Sequence, residues 1–157
     1  MQNRDITIKI LKRVKLFDGL TDQQLDRIVD MLEPVKAKKD AAVLTEQDEG
    51  IDLYIILRGQ VRVSKYIQNE EEAIAMLRPG ALFGEMAILG QTVRSASVIA
   101  HTDVLLYRLD GMQFLSFLEE DRDAGFKVMR RMAIMLAKRL HDLNERYRNM
   151  LSIASSW

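Results

Sequence analysis

The hydrophobic period of this chain changes twice along its length, and that change limits what it can fold into. Between Val35 and Leu109 short apolar runs recur at close spacing: Ala42 to Leu44, Leu53 to Leu57, Val61 to Ile67, Ala73 to Leu77, Ser95 to Ala100 and Val104 to Leu109. The run at 61–67 alternates Val, Arg, Val, Ser as a half-buried strand does. Arg58-Gly59-Gln60 and the segment 68–71 read as hairpin connections. Several short strands joined this closely imply an antiparallel sandwich or barrel.

On both flanks the period is helical. Thr21 to Gln24 has the spacing of a capping box, followed by Leu25, Ile28, Val29 and Leu32 on one face. That helix is expected to end just before Pro34, because the residue ahead of a proline disfavours the helical region. Residues 6–16 predict a second, shorter helix, with Phe17 and Leu20 as anchors onto the domain. After Leu109, the Asp110 to Gln113 spacing opens a helix carrying Met112, Phe114, Leu115 and Leu118. Carboxylates at 119, 120, 121 and 123 then crowd the start of a last helix, expected from about residue 121 to about residue 150.

The apolar residues of that last helix alternate steps of three and four. Phe126, Met129, Ala133, Leu136, Leu140, Leu143, Tyr147 and Met150 form an a/d seam, and Val128, Met132 and Met135 form a second stripe. Two apolar faces need two covers. One is the chain's own β-roll, and the other is most simply a second copy of the chain. Met129, Ala133, Leu136, Leu140, Leu143 and Tyr147 are therefore the expected dimer contact. The expected fold class is α+β, mainly β. It comprises one domain over 1–157, with N-terminal helices at 1–34, an antiparallel β-roll or jelly-roll barrel at 35–109, and a C-terminal helix pair at 110–157 ending in a long dimerisation helix.

With 157 residues the chain has the length of one domain, and it contains no cysteine, which excludes disulfides, zinc–thiolate sites and thiol nucleophiles. There is no run of 18 apolar residues, and the first residues lack the apolar stretch of a secretory signal, so a cytoplasmic protein without membrane contact is expected. The formal net charge is zero, but residues 124–157 hold seven basic groups against two acidic ones. A helix whose Arg and Lys flank an apolar seam accounts for that excess. His101 and His141 have no ligand-like spacing, so no metal is expected, and no nucleophile elbow marks a catalytic serine. Trp157 stands at the extreme terminus.

The segment from Arg78 to Ser97 joins two strands yet is too apolar for a plain surface loop. Gly84 lets backbone approach a ligand, and residues 85–89 can form one helical turn whose leading N–H groups favour an anion. Arg94, nine residues after Glu85, can return to the same spot and give charge-assisted hydrogen bonds to phosphate oxygens. A lone carboxylate beside a phosphate repels it, so Glu85 needs another task, and accepting a hydrogen bond from a sugar hydroxyl is one. Phosphate and ribose in one small pocket mean a nucleotide.

Residues Phe83, Gly84, Glu85, Met86, Ala87, Arg94, Ser95 and Ala96 resemble, position by position, the phosphate-binding cassette of the cyclic nucleotide-binding domain family, which includes catabolite-activator-like regulators and protein kinase A regulatory subunits. The resemblance extends over Leu16 to Leu20, over Leu53 to Gly59 with Val61 to Val63, and over Arg78 to Gly80. It implies that a cassette at 82–97 binds cAMP, expected ahead of cGMP, with no further cofactor. Glu85 would take the ribose 2′-hydroxyl. Arg94 and the amides of Met86 and Ala87 would hold the cyclic phosphate, with Ser95 and Ala96 beside it and Gly84 against the sugar. Leu82, Phe83 and Val61 would line the pocket or core.

The chain departs from the family pattern in three places. Glu46-Gln47-Asp48-Glu49-Gly50 lacks a glycine usual after the glutamate, and Val93 replaces a proline common before the cassette arginine. Leu143-Asn144 stands where catabolite-activator-type regulators place a Thr-Ser pair against the base, so Asn144 is the expected base contact. Only residues 151–157 follow the last helix, so direct DNA reading is not expected. The function expected is a non-enzymatic sensor that moves its C-terminal helices on an unknown effector protein or on its own homodimer. A constitutive dimerisation scaffold with a vestigial pocket is the alternative, as is a regulatory piece of a longer channel or transcription regulator.

Overall fold

The computed structural model describes residues 4–155; Trp157 lies outside them. Helices α1 (Arg4–Leu11) and α2 (Asp22–Val29) lead into eight strands, and α3 (Gly111–Glu120) and α4 (Arg122–Ala154) close the chain. The strands are β1 (Leu32–Ala37), β2 (Ala42–Leu44), β3 (Leu53–Arg58), β4 (Val61–Ile67), β5 (Glu70–Leu77), β6 (Leu82–Phe83), β7 (Ser97–Ala100) and β8 (Val104–Leu109). They form two antiparallel four-stranded sheets, ordered β1-β8-β3-β6 and β2-β7-β4-β5. The β-roll with helices at both ends is the fold class expected.

Alternation sorts the side chains into two cores. Tyr54 and Ile56 of β3 and Val104 and Leu106 of β8 face into the roll, where they meet Val61, Phe83, Val98 and Ala100. The alternate residues Leu53, Ile55, Tyr107 and Leu109 face the helices and meet Phe17, Ile28, Phe114, Phe117, Val128 and Met132. Both faces of β3 and β8 are thus covered, which is why the run at 53–57 reads as continuously apolar.

The N-terminal helices differ from expectation. The predicted helix at 6–16 is α1 followed by a 3₁₀ turn at Lys15–Phe17, with Val14 extended between them. Leu11, Val14, Leu16 and Phe17 are all buried, and one straight helix would spread those four positions around its circumference. The predicted stop before Pro34 falls too late. Helix α2 ends at Val29, and Pro34 sits inside β1 opposite Tyr107. An edge strand tolerates the missing N–H, so the proline here marks an edge and not a helix end.

Turn chemistry follows the sequence closely. The hydroxyl of Thr21 accepts from the Gln24 amide at 3.2 Å while the Gln24 side chain accepts from the Thr21 amide at 3.0 Å, completing the capping box. Gln68 and Asn69 both adopt positive φ, the two-residue hairpin geometry that matches strand twist, so β5 begins at Glu70 and not at Ala73. Asp121 caps α4 by accepting from the Ala124 amide at 3.0 Å. The side-chain amide of Gln24 bonds the carboxylates of Asp121 and Asp123, tying α2 to the start of α4.

Helix α4 runs 33 residues, about 50 Å at 1.5 Å per residue. Its buried residues are Ala124, Val128 and Met132, with Met135 partly buried against the same cluster. The expected second stripe therefore packs on the helices and roll, and beyond it α4 carries no fully buried residue. No helix among the described residues is long and apolar enough to cross a membrane.

Candidate functional site

Between β4, β5, the 82–97 segment and α4 lies a cavity of about 440 Å³. Gly84, Glu85, Met86, Ala87, Arg94, Ser95 and Ala96 all line it. Residues 85–89 form the expected single turn, a 3₁₀ helix whose preceding residue, Gly84, has φ of 83°. A Cβ at Gly84 would stand 2.7 Å from the Asp52 carbonyl oxygen and 3.1 Å from the Arg94 guanidinium. Both conformation and space therefore require glycine there. The Ala87 amide closes this turn on the Gly84 carbonyl at a long 3.3 Å.

Arg94 reaches the cavity from the far side of the cassette, held by backbone on both flanks. Its amide donates to the Asp48 carbonyl at 2.8 Å, and its own carbonyl accepts from the Gln47 amide at 2.9 Å. Gln47 adopts φ of 74° to make that turn, at the loop where the sequence departs from the family's glycine. The Arg94 side chain is 7% exposed. Its Nη2 donates to the Asp52 carbonyl at 2.9 Å, and Nη1 donates to the Gly84 carbonyl at 3.4 Å. No carboxylate pairs with it among the described residues. Burial pulls the guanidinium below its ordinary pKa, opposed by nearby Tyr54 and Asp52. A buried cation held only by carbonyl dipoles is costly, and an arriving anion relieves that cost.

The Asp52 side chain connects this point to the C-terminal helices. Its Oδ1 accepts from the Gly111 amide at the start of α3 at 3.0 Å, and Oδ2 pairs with Arg108 at 2.7 Å. Burial raises the pKa of Tyr54, which stacks on Phe83 with ring centroids 5.2 Å apart. Phe83 and Val61 thus belong to the core, whereas Leu82 lines the cavity.

Glu85 is 6% exposed, and its Oε1 accepts from Arg139 Nη2 on α4 at 2.8 Å. Sequence reasoning missed Arg139, and also Arg146, which lines the same cavity. The signal was present: the two arginines are one heptad apart and flank the apolar seam on one side. Asn144 does not line the cavity. It lies five positions from Arg139, about 140° around the helix, so the expected base contact points away from this protomer's site. The seam residues Leu140, Leu143 and Tyr147 are each more than half exposed, as is Phe126, while Met129 and Ala133 are exposed and Leu136 is partly covered. Among the described residues, no group of three or more His, Asp or Glu side chains could hold a metal ion.

The family model for the cyclic nucleotide-binding domain matches residues 34–121. The chain is 33% identical over 102 residues to the cGMP-dependent protein kinase egl-4 of Caenorhabditis briggsae, covering 64% of this chain and 14% of the kinase. It is 29% identical over 133 residues to the Cyclic AMP receptor protein of Thermus thermophilus, covering 84% of this chain and 60% of the receptor. It therefore spans less than two thirds of either relative. A solved cyclic nucleotide-binding domain from Methylobacillus flagellatus matches with a TM-score of 0.76 at 28% identity, covering 91% of this chain and 81% of that one.

Proposed function

Because this chain belongs to the cyclic nucleotide-binding domain family, a family of regulatory domains, we propose that its cavity takes a purine 3′,5′-cyclic nucleotide and that α4 transmits the binding. The cyclic phosphate sits on Arg94 and the amides of Met86 and Ala87, beside Ser95 and Ala96. Glu85 accepts from the ribose 2′-hydroxyl through Oε2, since Arg139 occupies Oε1. The observation that carries this reading is the buried Arg94 guanidinium without a carboxylate partner, in the same cavity as a buried carboxylate. One site holding separate places for an anion and a hydroxyl fits a sugar phosphate.

The response is a population shift. A ligand that engages Glu85 acts on the Glu85–Arg139 pair, and so favours one placement of α4 over another. The exposed seam of α4 supports a homodimer, with Asn144 flanking that seam on the side away from the cavity. An effector protein reading the dimer geometry is the output of a cytoplasmic sensor of this kind. The cassette residues do not choose between adenine and guanine, so the sequence-level preference for cAMP rests on nothing in the cavity.

The thermal midpoint of the protein, freed of any co-purified nucleotide, tests this reading with cAMP, cGMP and linear 5′-AMP. A ligand at 100 times its Kd adds about 2.7 kcal/mol of stability. A rise with a cyclic nucleotide and none with 5′-AMP is expected. Arg94→Met should abolish the rise while the variant still unfolds cooperatively, its nucleotide-free midpoint reflecting the removal of a costly buried charge against the loss of the donors to the Asp52 and Gly84 carbonyls. No rise with either cyclic nucleotide would leave the dimerisation scaffold as the function.

A further inference from the structure

The wall that would face the base shows a one-sided chemistry. Outside the 84–96 segment, every side chain lining the cavity is aliphatic or cationic, the cations being Lys65, Arg139 and Arg146. None of them offers a hydrogen-bond acceptor. Lys65 Nζ stands 3.8 Å from a Glu46 carboxylate oxygen, and Arg139 is committed to Glu85. Arg146 carries no ion pair among the described residues. Seven positions separate it from Arg139, so it shares the same helix face about 10.5 Å further along. That displacement leads along α4 away from the Arg139–Glu85 pair while Arg146 still lines the cavity.

A strand irregularity supplies a further lining residue. The β4–β5 register passes from Val63 opposite Ala75 to Ser64 opposite Ala73, which leaves Ile74 as the extra residue of a bulge. Bulges re-aim a side chain, and Ile74, half exposed, lines the cavity. One cavity thus holds an aliphatic side chain of β5 and a guanidinium of α4, the two surfaces a flat ring with acceptors on its edge can use.

Resting on the reading of the site as a cyclic nucleotide pocket, we propose that Arg146 is the base-reading residue and that it selects guanine, making cGMP the preferred ligand. Guanine presents two adjacent acceptors, O6 and N7, which match the forked donors of an arginine. Adenine presents N7 beside an N6 amino donor, which a donor-only wall cannot satisfy. Asn144, the expected base contact, takes no part because it lies about 140° around α4 from Arg139 and does not line the cavity.

Calorimetric titration of the full chain with cGMP and with cAMP tests this, in the wild type, Arg146→Ala and Arg146→Lys. Tighter binding of cGMP by about tenfold is expected, within the discrimination a bidentate pair gives. Arg146→Ala should lose that preference by weakening cGMP about tenfold while leaving cAMP within twofold. Arg146→Lys, which keeps the charge without the fork, should also lose most of it. Arg146 is exposed, so an unchanged thermal midpoint of the nucleotide-free variants shows that the fold is intact. Equal binding of both nucleotides, a preference for cAMP, or equal weakening of both in Arg146→Ala would overturn the assignment while leaving the pocket's function standing. Failure of the wild type to bind either nucleotide would overturn the pocket reading itself, and this assignment with it.

Discussion

Arg139 donates to the buried carboxylate of Glu85 at 2.8 Å, joining residues 54 positions apart and linking the cassette to the helix that carries the exposed apolar seam. The bond gives the proposed ribose site a direct mechanical link to α4. It also neutralises a carboxylate that would otherwise be buried without a cation near a phosphate position.

Breaking that pair from either side should expose its coupling. The Arg139 side chain is 59% exposed and that of Glu85 8% exposed, so the pair is half screened and its coupling is expected near 1 kcal/mol. A double-mutant cycle of Arg139→Ala and Glu85→Gln, followed by urea denaturation, measures it directly. Additive losses would mean that the two side chains do not meet in solution.

How much of this was legible beforehand depended on the range of the signal. The capping box at Thr21, the strand runs and the cassette turn are local patterns, and the structure forms each of them, with β5 starting three residues earlier and β7 two residues later than their apolar runs. Pro34 misled because one residue type serves both helix ends and edge strands, and only the partner strand β8 separates the two roles. β1 and the two-residue β6 carried no period of their own. Arg139 and Arg146 were hidden for a different reason: a helix face becomes a cavity wall only after α4 folds back across the cassette. The same non-local fact turned Asn144 away from the site.

Gln47 offers a test of local strain. Its φ of 74° lies in the left-handed region, which costs a side chain with a Cβ roughly 1–2 kcal/mol. Gln47→Gly removes that strain and adds the unfolded-state entropy of glycine, about 0.4–1 kcal/mol in the other direction. The net expectation is a gain of about 0.5–1 kcal/mol, visible as a higher thermal midpoint. The loop hydrogen bonds between residues 47–50 and 92–94 should persist, so nucleotide affinity should be unchanged. A lower midpoint would show that the Gln47 side chain contributes more than its backbone costs.

Acid stability should depend on Glu71. The Arg62 guanidinium, aided by the Ser64 hydroxyl, holds the Glu71 carboxyl down to about 2, against an ordinary value of 4.5. A depressed folded-state pKa stabilises the protein above the unfolded value, and that contribution disappears as pH falls from about 4.5 toward 2. Glu71→Gln should therefore be less stable than wild type at neutral pH and should converge on it as the pH approaches 2. Denaturant midpoints across this range give the comparison. Other carboxylates with depressed pKa values, such as Asp103 and Asp123, are common to both proteins and cancel in the difference. Parallel curves would mean that Glu71 is not paired in the folded state.

The last four turns of α4 pose the question of what covers them. Leu140 and Leu143 are 59% and 61% exposed, and Tyr147 is 58% exposed, so a continuous apolar stripe stands clear of the protomer. An unsupported helix is marginal in water, whereas an a/d seam paired with its copy is stable. Leu140→Asp with Leu143→Asp places two charges in that seam and removes nothing from the protomer's own core. Light scattering should then report a dimer for wild type and a monomer for the variant. Far-UV circular dichroism should show a modest loss of helix as the end of α4 frays. Leu136 is a poorer choice because it is partly covered within the protomer, and its loss would mix folding with association. An unchanged dimer mass in the variant would move the contact away from this seam, and a monomeric wild type would leave the stripe for the effector alone.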